Sequence, residues 1–184
     1  MSLSTLSVFI QLLGCEDLTD YHCRIATIDD IAEMYDRLIK NYSNGDTNWS
    51  ALKEKDIQRV GAEQAITYIG SLSGVIICVS KAALDASVVQ NSEGLVDERT
   101  AYLFAFRTND DYQGKGYFSK LYHFMIDDLK SRGYERATLG VEPKEETNKK
   151  IYRKYGFTEY IKSGKEIYFD GFTVDVDYYA KPLV

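Results

Sequence analysis

The stretch AYLFAFRTNDDYQGKGYF, residues 101–118, places an apolar run, a glycine turn and the start of an amphipathic segment in direct succession. The apolar run over 101–108 predicts a strand that is covered on both faces. The turn contains Gly114 and Gly116, and a helix is predicted to follow over 117–132. A turn of this kind points several backbone N–H groups at one spot next to the positive end of a helix dipole. An anion, most often a phosphate, is the expected ligand at such a spot.

The predicted helix leads the chain into a second strand. Gly133 ends the helix, and a strand is predicted over 136–142 as a parallel neighbour of the first, joined to it by a right-handed crossover. A short helix is predicted over 148–155. Ligands of such sheets bind beyond the carboxyl ends of the strands. An anion bound at the glycine turn would therefore belong to a ligand that extends toward the segment after the second strand.

The rest of the chain supplies further strands and helices. A strand is predicted over 21–26, and Thr27 with Asp30 forms a capping box for a helix that ends near Asn41. The remaining predicted elements are a turn at 44–46, a second helix over roughly 50–69, a strand over 75–80, a further candidate strand over 84–90, and two closing strands over 157–161 and 173–181 that are joined around 170–171. Together they predict an α/β fold, a single domain with a mixed sheet flanked by helices.

Size and charge limit the class of protein. A chain of 184 residues that is 45% hydrophobic fits one compact domain with a core. The formal net charge of −6 argues against a nucleic-acid-binding protein, which would present a basic face. We interpret residues 1–20 as an N-terminal extension and 21–184 as the domain. The apolar run near the start follows no basic residue and is too short to span a bilayer, so no membrane partner is expected.

Cysteine and histidine usage argues against a metal site. Cys15, Cys23 and Cys78 are widely spaced, and only His22 and His123 could join them as ligands. No metal is expected. The odd number of cysteines favours a reducing compartment, and the expected localisation is cytoplasmic.

Two common phosphate-binding motifs do not fit the glycine turn. A P-loop requires an upstream glycine and a Ser or Thr after the lysine, and the segment around Lys115 has neither. A dinucleotide fingerprint would require a third glycine where Ser119 stands. An ATP- or NAD-binding enzyme is therefore disfavoured.

A third motif does fit. The segment from Gln113 to Phe118 resembles the acetyl-CoA-binding motif of the Gcn5-related N-acetyltransferase (GNAT) superfamily, Gln/Arg-x-x-Gly-x-Gly/Ala. Gln113 and Gly116 match the pattern, whereas Phe118 stands where a small residue is usual. The segment YRKYGF, residues 152–157, is similar to the Tyr-x-x-x-Gly-Phe signature of the same family. The resemblance covers roughly residues 21–183 and implies a mostly antiparallel sheet with a parallel central strand pair.

The resemblance implies an enzyme, an acetyl-CoA-dependent N-acetyltransferase in which a primary amine attacks the thioester directly in a ternary complex. Tyr152 would lie beside the sulfur and protonate the leaving thiolate as a general acid. Asn148 would hydrogen-bond the pantetheine arm near the thiol, although Asn148 is also explained as the N-cap of its helix. The residues that the resemblance assigns to the cofactor are Phe106, Arg107, Thr108, Gln113, Gly114, Lys115, Gly116, Tyr117, Phe118 and Asn148.

The attacking amine must also lose a proton. Glu142, at the carboxyl end of its strand, is the first candidate for this base, acting through water, and Glu98 is the second. A glutamate at a strand end is more often a solvated surface residue than a base, and this applies to both.

The acceptor is not readable from a motif. It is expected to be the amine of a small molecule or of a protein, shaped by the segments 40–69, 85–100 and 163–171. The acidic residues Asp46, Glu54 and Asp56 near that side favour a cationic amine. A homodimer is left open. The alternative function is a non-catalytic acyl-CoA-binding sensor or interaction domain, which Phe118 and the lack of a clear base motivate.

Overall fold

The computed structural model describes residues 20–41, 48–168 and 171–184. One sheet of seven strands runs in the order β1-β2-β3-β4-β5-β7-β6. The strands are β1 (Tyr21–Ile25), β2 (Ala65–Leu72), β3 (Val75–Ala83), β4 (Thr100–Thr108), β5 (Arg136–Val141), β6 (Glu159–Ile167) and β7 (Thr173–Pro182). The helices are α1 (Ile28–Asn41), α2 (Asn48–Gly61), α3 (Tyr117–Ser131) and α4 (Glu146–Lys154).

The sheet has one parallel pair at its centre. β4 runs parallel to β5, and every other neighbouring pair is antiparallel. This arrangement confirms the predicted mixed α/β fold with its parallel central strands. The crossover helix between the pair is α3, as predicted from the apolar pattern of that segment.

The two central strands separate halfway along β4. They pair only over Thr100–Leu103 and Arg136–Leu139. Beyond Leu103, β4 continues to Thr108 beside β3, whereas β5 continues to Val141 beside β7. A gap therefore opens in the middle of the sheet, at the carboxyl ends of the two parallel strands.

A bulge in β4 sits at the start of this gap. Between the pairs Lys81–Phe104 and Val79–Arg107, β4 contains one residue more than β3, and Ala105 there has a φ of 55°. A bulge changes which face each following side chain occupies. As a result, Phe106 packs into the core beneath α3, and Arg107 points to the face that carries α2.

Each face of the sheet has its own core. α3 covers one face with its buried stripe of Leu121, Met125 and Leu129, and Tyr152 and Tyr155 from the α4 region pack beside it. α1 and α2 cover the other face around Ile31, Tyr35 and Val79. At about 25 cal/mol per Å² of buried apolar surface, such fully buried side chains supply most of the stabilisation of the fold.

The predicted second helix over 50–69 is wrong in its second half. α2 ends at Gly61, Glu63 adopts a φ of 57°, and the chain then forms β2. The first six residues of β2 are all buried, so the polar–apolar alternation that identifies a strand is missing. The run from Ile66 to Ile69 is β-branched and aromatic, which favours a strand once neighbours exist on both sides.

Other boundaries differ less. The candidate strand over 84–90 is wrong, because Ala86–Val88 form a 3-10 turn in which the Asp85 side chain accepts a hydrogen bond from the Ser87 N–H at 2.8 Å. The capping box is confirmed by the bonds between Thr27 and Asp30.

The turn at 44–46 and nearly all of the N-terminal extension lie outside the described residues. Among the helices that the structure describes, none is long and apolar enough to span a membrane.

Candidate functional site

A cleft of about 720 Å³ opens on the α1/α2 face of the sheet. Its walls come from α1, α2, β3 and β4, and it reaches β6 on the far side. Phe104, Ala105 and Phe106 line it together with Gly140 of β5, so the cleft meets the gap between the two parallel strands. Gly140 has no room for a side chain, because a Cβ there would lie 2.9 Å from the Tyr102 hydroxyl oxygen.

The glycine turn lies where β4 leads into α3. Gly114 and Gly116 have φ values of 73° and 85°, and no heavy atom lies within 4 Å of a Cβ built on either residue. Gly116, the N-cap residue of α3, has no side chain with which to cap the helix. Gln113 closes the turn, since its side-chain amide donates hydrogen bonds to the Thr108 carbonyl and to Asp110. The turn thus presents a helix N terminus whose N-cap residue carries no side chain, an arrangement that is suited to an anion.

Phe118 does not obstruct this turn. Its ring packs inward, 5.3 Å from the ring centroid of Phe106 and 6.3 Å from that of Tyr155. The large side chain therefore fills an aromatic cluster under α3.

Tyr152 stands on the α4 side of the gap. Its ring meets that of Phe106 edge-on at 5.8 Å and lines the cleft. Burial, and secondarily the charge of Glu145, raises the pKa of the Tyr152 phenol. The hydroxyl makes no hydrogen bond to any residue that the structure describes. It is a protonated donor with free capacity beside the strand gap.

Asn148 lies one turn before Tyr152 and is half-buried. α4 begins at Glu146 with Glu145 as its N-cap, so the N-cap role considered for Asn148 is wrong. Its amide donates a 3.5 Å hydrogen bond to Glu145.

The two glutamates proposed from the sequence as bases have different surroundings. Glu142 accepts a hydrogen bond from the Tyr168 hydroxyl at 3.0 Å and pairs with Lys144 at 2.8 Å. Lys144 above all holds the pKa of the Glu142 carboxyl below its usual range, which weakens it as a base. Glu98 is exposed and precedes the amino end of β4, whereas the gap opens beyond Leu103, so it lies at the wrong end of the strand.

A third carboxylate, Glu166, lines the cleft and was missed from the sequence. Its Oε1 accepts hydrogen bonds from the Tyr102 hydroxyl at 3.1 Å and from the Tyr178 hydroxyl at 3.0 Å. Because the Tyr102 hydroxyl lies against Gly140, these bonds fix the carboxylate beside the strand gap. The sequence marks Glu166 only as a member of a hairpin at the acceptor side, since the partners lie on β4 and β7.

The floor of the cleft on the α2 side holds a buried ion pair. Lys81 and Asp56 are each 6% exposed, and the ammonium donates to the Asp56 carboxylate and to the Tyr35 hydroxyl. Tyr35 also donates to Asp56, and Arg59 lies 3.9 Å from the same carboxylate. Burial lowers the pKa of Lys81, while Asp56 opposes that shift.

The described acidic residues that favoured a cationic acceptor do not supply free negative charge here. Asp56 is neutralised by Lys81, and Glu54 is exposed and absent from the cleft wall. Asp46 lies outside the described residues.

Comparison with known proteins agrees with this architecture. Residues 24–157 match the model of the acetyltransferase (GNAT) family. An N-acetyltransferase from Staphylococcus aureus Mu50 superposes with a TM-score of 0.64 at 15% identity, covering 90% of this chain and 100% of that chain. A ribosomal-protein-alanine N-acetyltransferase from Brucella melitensis gives a TM-score of 0.63 at 15% identity and covers 88% of this chain and 99% of that one.

A Salmonella typhimurium protein of the acetyltransferase type, solved with its cofactor acetyl-CoA, gives a TM-score of 0.64 at 15% identity over 90% of this chain and 95% of that one. No curated protein sequence matches the chain. Since the family model spans well over half of the sequence, the chain belongs to the GNAT acetyltransferase family.

Proposed function

We propose that this protein is an N-acetyltransferase that moves an acetyl group from acetyl-CoA to a primary amine by direct attack in a ternary complex. The observation that carries the proposal is the position of Tyr152. Its protonated hydroxyl bonds to no described residue, and its ring lines the cleft and meets Phe106 at the strand gap. A family relative solved with acetyl-CoA supports the choice of donor.

The residues present fit acetyl-CoA. The start of α3, with glycine as its N-cap, and the positive-φ glycines would hold the pyrophosphate through the segment from Gln113 to Phe118. Backbone groups of β4 from Phe106 to Thr108 face no strand partner across the gap and would pair with the pantetheine arm. Asn148 would bind the arm near the thiol.

The side chains around the gap divide the proton transfers between them. Glu166 would accept a proton from the attacking amine, whose nitrogen forms a bond to the thioester carbon. A backbone N–H near Phe106 would donate to the carbonyl oxygen as negative charge develops there. Tyr152 would give its proton to the thiolate as the carbon–sulfur bond breaks.

The proposal also covers the kind of acceptor, the cellular compartment and the residues that form the domain. Relatives that act on ribosomal-protein alanine support a protein amine, and the size of the cleft equally admits a small molecule. We assign the reaction to residues 21–184 and to the cytoplasm, where Cys23 and Cys78 remain free thiols.

Acetyl-CoA should stabilise the protein and lose its acetyl group to an amine. At about 100 times its Kd, a ligand specific for the native state adds about 2.7 kcal/mol, which raises the Tm by about 5–10 °C for a chain of this size. A thermal melt with acetyl-CoA and a thiol-release assay with an amine panel measure the two effects. Stabilisation without thiol release from any amine would favour the sensor function instead.

Two glycines in matched positions separate an effect on cofactor binding at the turn from a general effect of backbone strain on stability. Gly116 and Gly133 lie just outside the two ends of α3, both with positive φ and free space around a Cβ. Gly116→Ala and Gly133→Ala should therefore destabilise the free protein similarly, by about 1 kcal/mol. Only Gly116→Ala should weaken acetyl-CoA binding, and equal weakening by both variants would exclude the turn as the cofactor site.

Exchange of Glu166 for its amide should slow the reaction strongly. In Glu166→Gln the side-chain oxygen can still accept from Tyr102 and Tyr178, but the group can no longer take a proton. We expect kcat to fall by about 10²–10³ with little change in Tm. Steady-state kinetics of thiol release, together with melting curves, would measure this.

Glu142→Gln is the matched comparison, because Glu142 is the base predicted from the sequence. Its carboxylate is held by Lys144 and Tyr168, so kcat should change little in this variant. A large loss in Glu142→Gln with normal kcat in Glu166→Gln would reverse the assignment.

A further inference from the structure

The wall of the cleft carries more positive than negative side chains. Four basic side chains, Arg37, Arg59, Lys81 and Arg107, line it together with two carboxylates, Asp56 and Glu166. Arg37 is paired outside the wall with Glu33 at 2.5 Å. The remaining positive charges gather at the α2 end of the cleft, whereas Glu166 stands at the opposite end on β6.

Arg107 is the exposed member of this group. Its guanidinium lies over the ring of Trp49 at 5.5 Å, in a cation–π contact that fixes the side chain along α2. No described carboxylate forms a salt bridge with it. A stacked arginine with its edge open to a cleft presents the planar fork that binds carboxylate or phosphate oxygens.

The charges near Arg107 leave an excess of positive charge, which favours binding of an anion. Asp56 is the single described carboxylate beside Lys81 and Arg59, and it already serves both. The positive charges of Arg107 and Arg59 act on Lys81 across this space and help to lower its pKa, after the larger effect of burial. Among the described residues, one negative charge therefore faces three positive charges at this end of the cleft.

We infer that the acceptor carries an anionic group, a carboxylate or a phosphate, in addition to its amine, and that Arg107 binds this group. The inference rests on the proposed function, because it names the class of acceptor for the same cleft. The amine would lie toward Glu166 at the strand gap. Three residues of strand, at most about 10 Å, separate Phe104 from Arg107, so a short aliphatic chain can join the two groups.

Matched acceptors test the inference by thiol release. The probes are ω-aminovalerate, its neutral amide, and ω-aminobutyl phosphate. We expect kcat/KM for at least one anionic probe to exceed that of the amide by about 10- to 100-fold, the usual worth of a charge-assisted hydrogen bond. In Arg107→Ala the ratio of kcat/KM for the anionic probes to kcat/KM for the amide should fall to about one, and Arg107→Lys should restore part of this ratio. The two anionic probes show whether carboxylate or phosphate is preferred.

Arg99→Ala is the control, since it removes an equal charge from an exposed ion pair with Glu135 far from the cleft. It should leave the preference intact. A neutral amide that reacts as well as both anionic probes would overturn the inference, and so would an equal loss for all probes in Arg107→Ala. In either case the acetyl transfer itself would still stand.

A binding measurement keeps the two proposals separate. Trp49 is the only tryptophan in the chain, so its emission reports on Arg107 directly. Titration with ω-aminovalerate and ω-aminobutyl phosphate in the presence of CoA should change the emission saturably in the native protein and not in Arg107→Ala. Such a change without thiol release would support the anion site and refute the transfer, whereas no change with either anion would refute the anion site.

Discussion

Tyr152→Phe should reduce kcat by about 10²–10⁴ while acetyl-CoA binds almost as before, because the change removes one proton donor and leaves the ring in place. The ring contributes packing against Phe106 and Phe157, which phenylalanine preserves. The hydroxyl makes no hydrogen bond to a described residue, so its loss leaves no buried partner unsatisfied and should cost little stability. Stopped-flow and steady-state thiol release would measure kcat, and calorimetry would measure cofactor affinity.

The pH dependence gives a second signature of the same residue. Because burial raises the pKa of Tyr152 above its ordinary value of about 10, the phenol keeps its proton throughout the neutral and mildly alkaline range. An acid is competent while protonated, so the native rate should fall only as the pH rises past about 10. This alkaline decline should disappear in Tyr152→Phe.

Tyr155→Phe is the matched control, since it deletes the same atom three residues further along. The Tyr155 ring packs at a tilt against that of Tyr122, with 4.1 Å between the ring centroids, and Tyr155 is not part of the cleft wall. Its kcat should equal that of the native protein. An unchanged kcat in Tyr152→Phe, or equal losses in both variants, would remove Tyr152 as the acid.

Asp56→Asn should lower the free energy of unfolding by about 3–5 kcal/mol, the usual cost of leaving one member of a buried ion pair without its partner. The substitution keeps the size of the side chain and removes only its charge, and Lys81 then stays 6% exposed without a counter-ion among the described residues. Since whole domains are stable by only about 5–15 kcal/mol, the loss should be obvious in a denaturant titration.

The loss should depend on pH in a defined direction. A buried lysine whose pKa is lowered on folding binds fewer protons in the native state than in the unfolded one. Stability then rises with pH between the lowered native pKa and the unfolded value of about 10.4. The stability of Asp56→Asn should therefore approach that of the native protein as the pH rises toward 10.4, once Lys81 is neutral.

Two further variants identify the cause. Adding Lys81→Met to Asp56→Asn removes the stranded charge and should recover most of the stability. Asp36→Asn breaks the exposed pair with Lys53 and should cost no more than about 1 kcal/mol. The ion-pair explanation fails if Asp56→Asn costs as little as Asp36→Asn, or if the double variant is no more stable than the single one.

The central part of the fold was readable from the sequence because its signals are local. The apolar run of β4, the glycines after it and the apolar stripe of α3 each lie within a short segment, and the crossover length fixes a parallel partner. β2 was missed because its buried run lacks alternation and continues from a helical pattern with only Gly61 between them. Neighbouring strands, which no local pattern reveals, make that segment a strand.

The candidate site divides in the same way. The Gly114–Gly116 turn and Tyr152 belong to short motifs, so they were predicted. Glu166 and Lys81 acquire their roles from partners on other elements, Tyr102 and Asp56, at separations that sequence cannot supply. The side of the sheet on which the Arg107 side chain lies depends on the bulge at Ala105. Alanine rarely adopts a positive φ, so the sequence does not indicate this bulge.

The bulge at Ala105 also determines which side chains β4 presents on each face beyond it. Phe106 packs with Leu103 into the core under α3, whereas Arg107 lies over Trp49 of α2. If Ala105 paired regularly with β3, Phe106 and Arg107 would exchange faces, and an aromatic ring would stand where the guanidinium now lies.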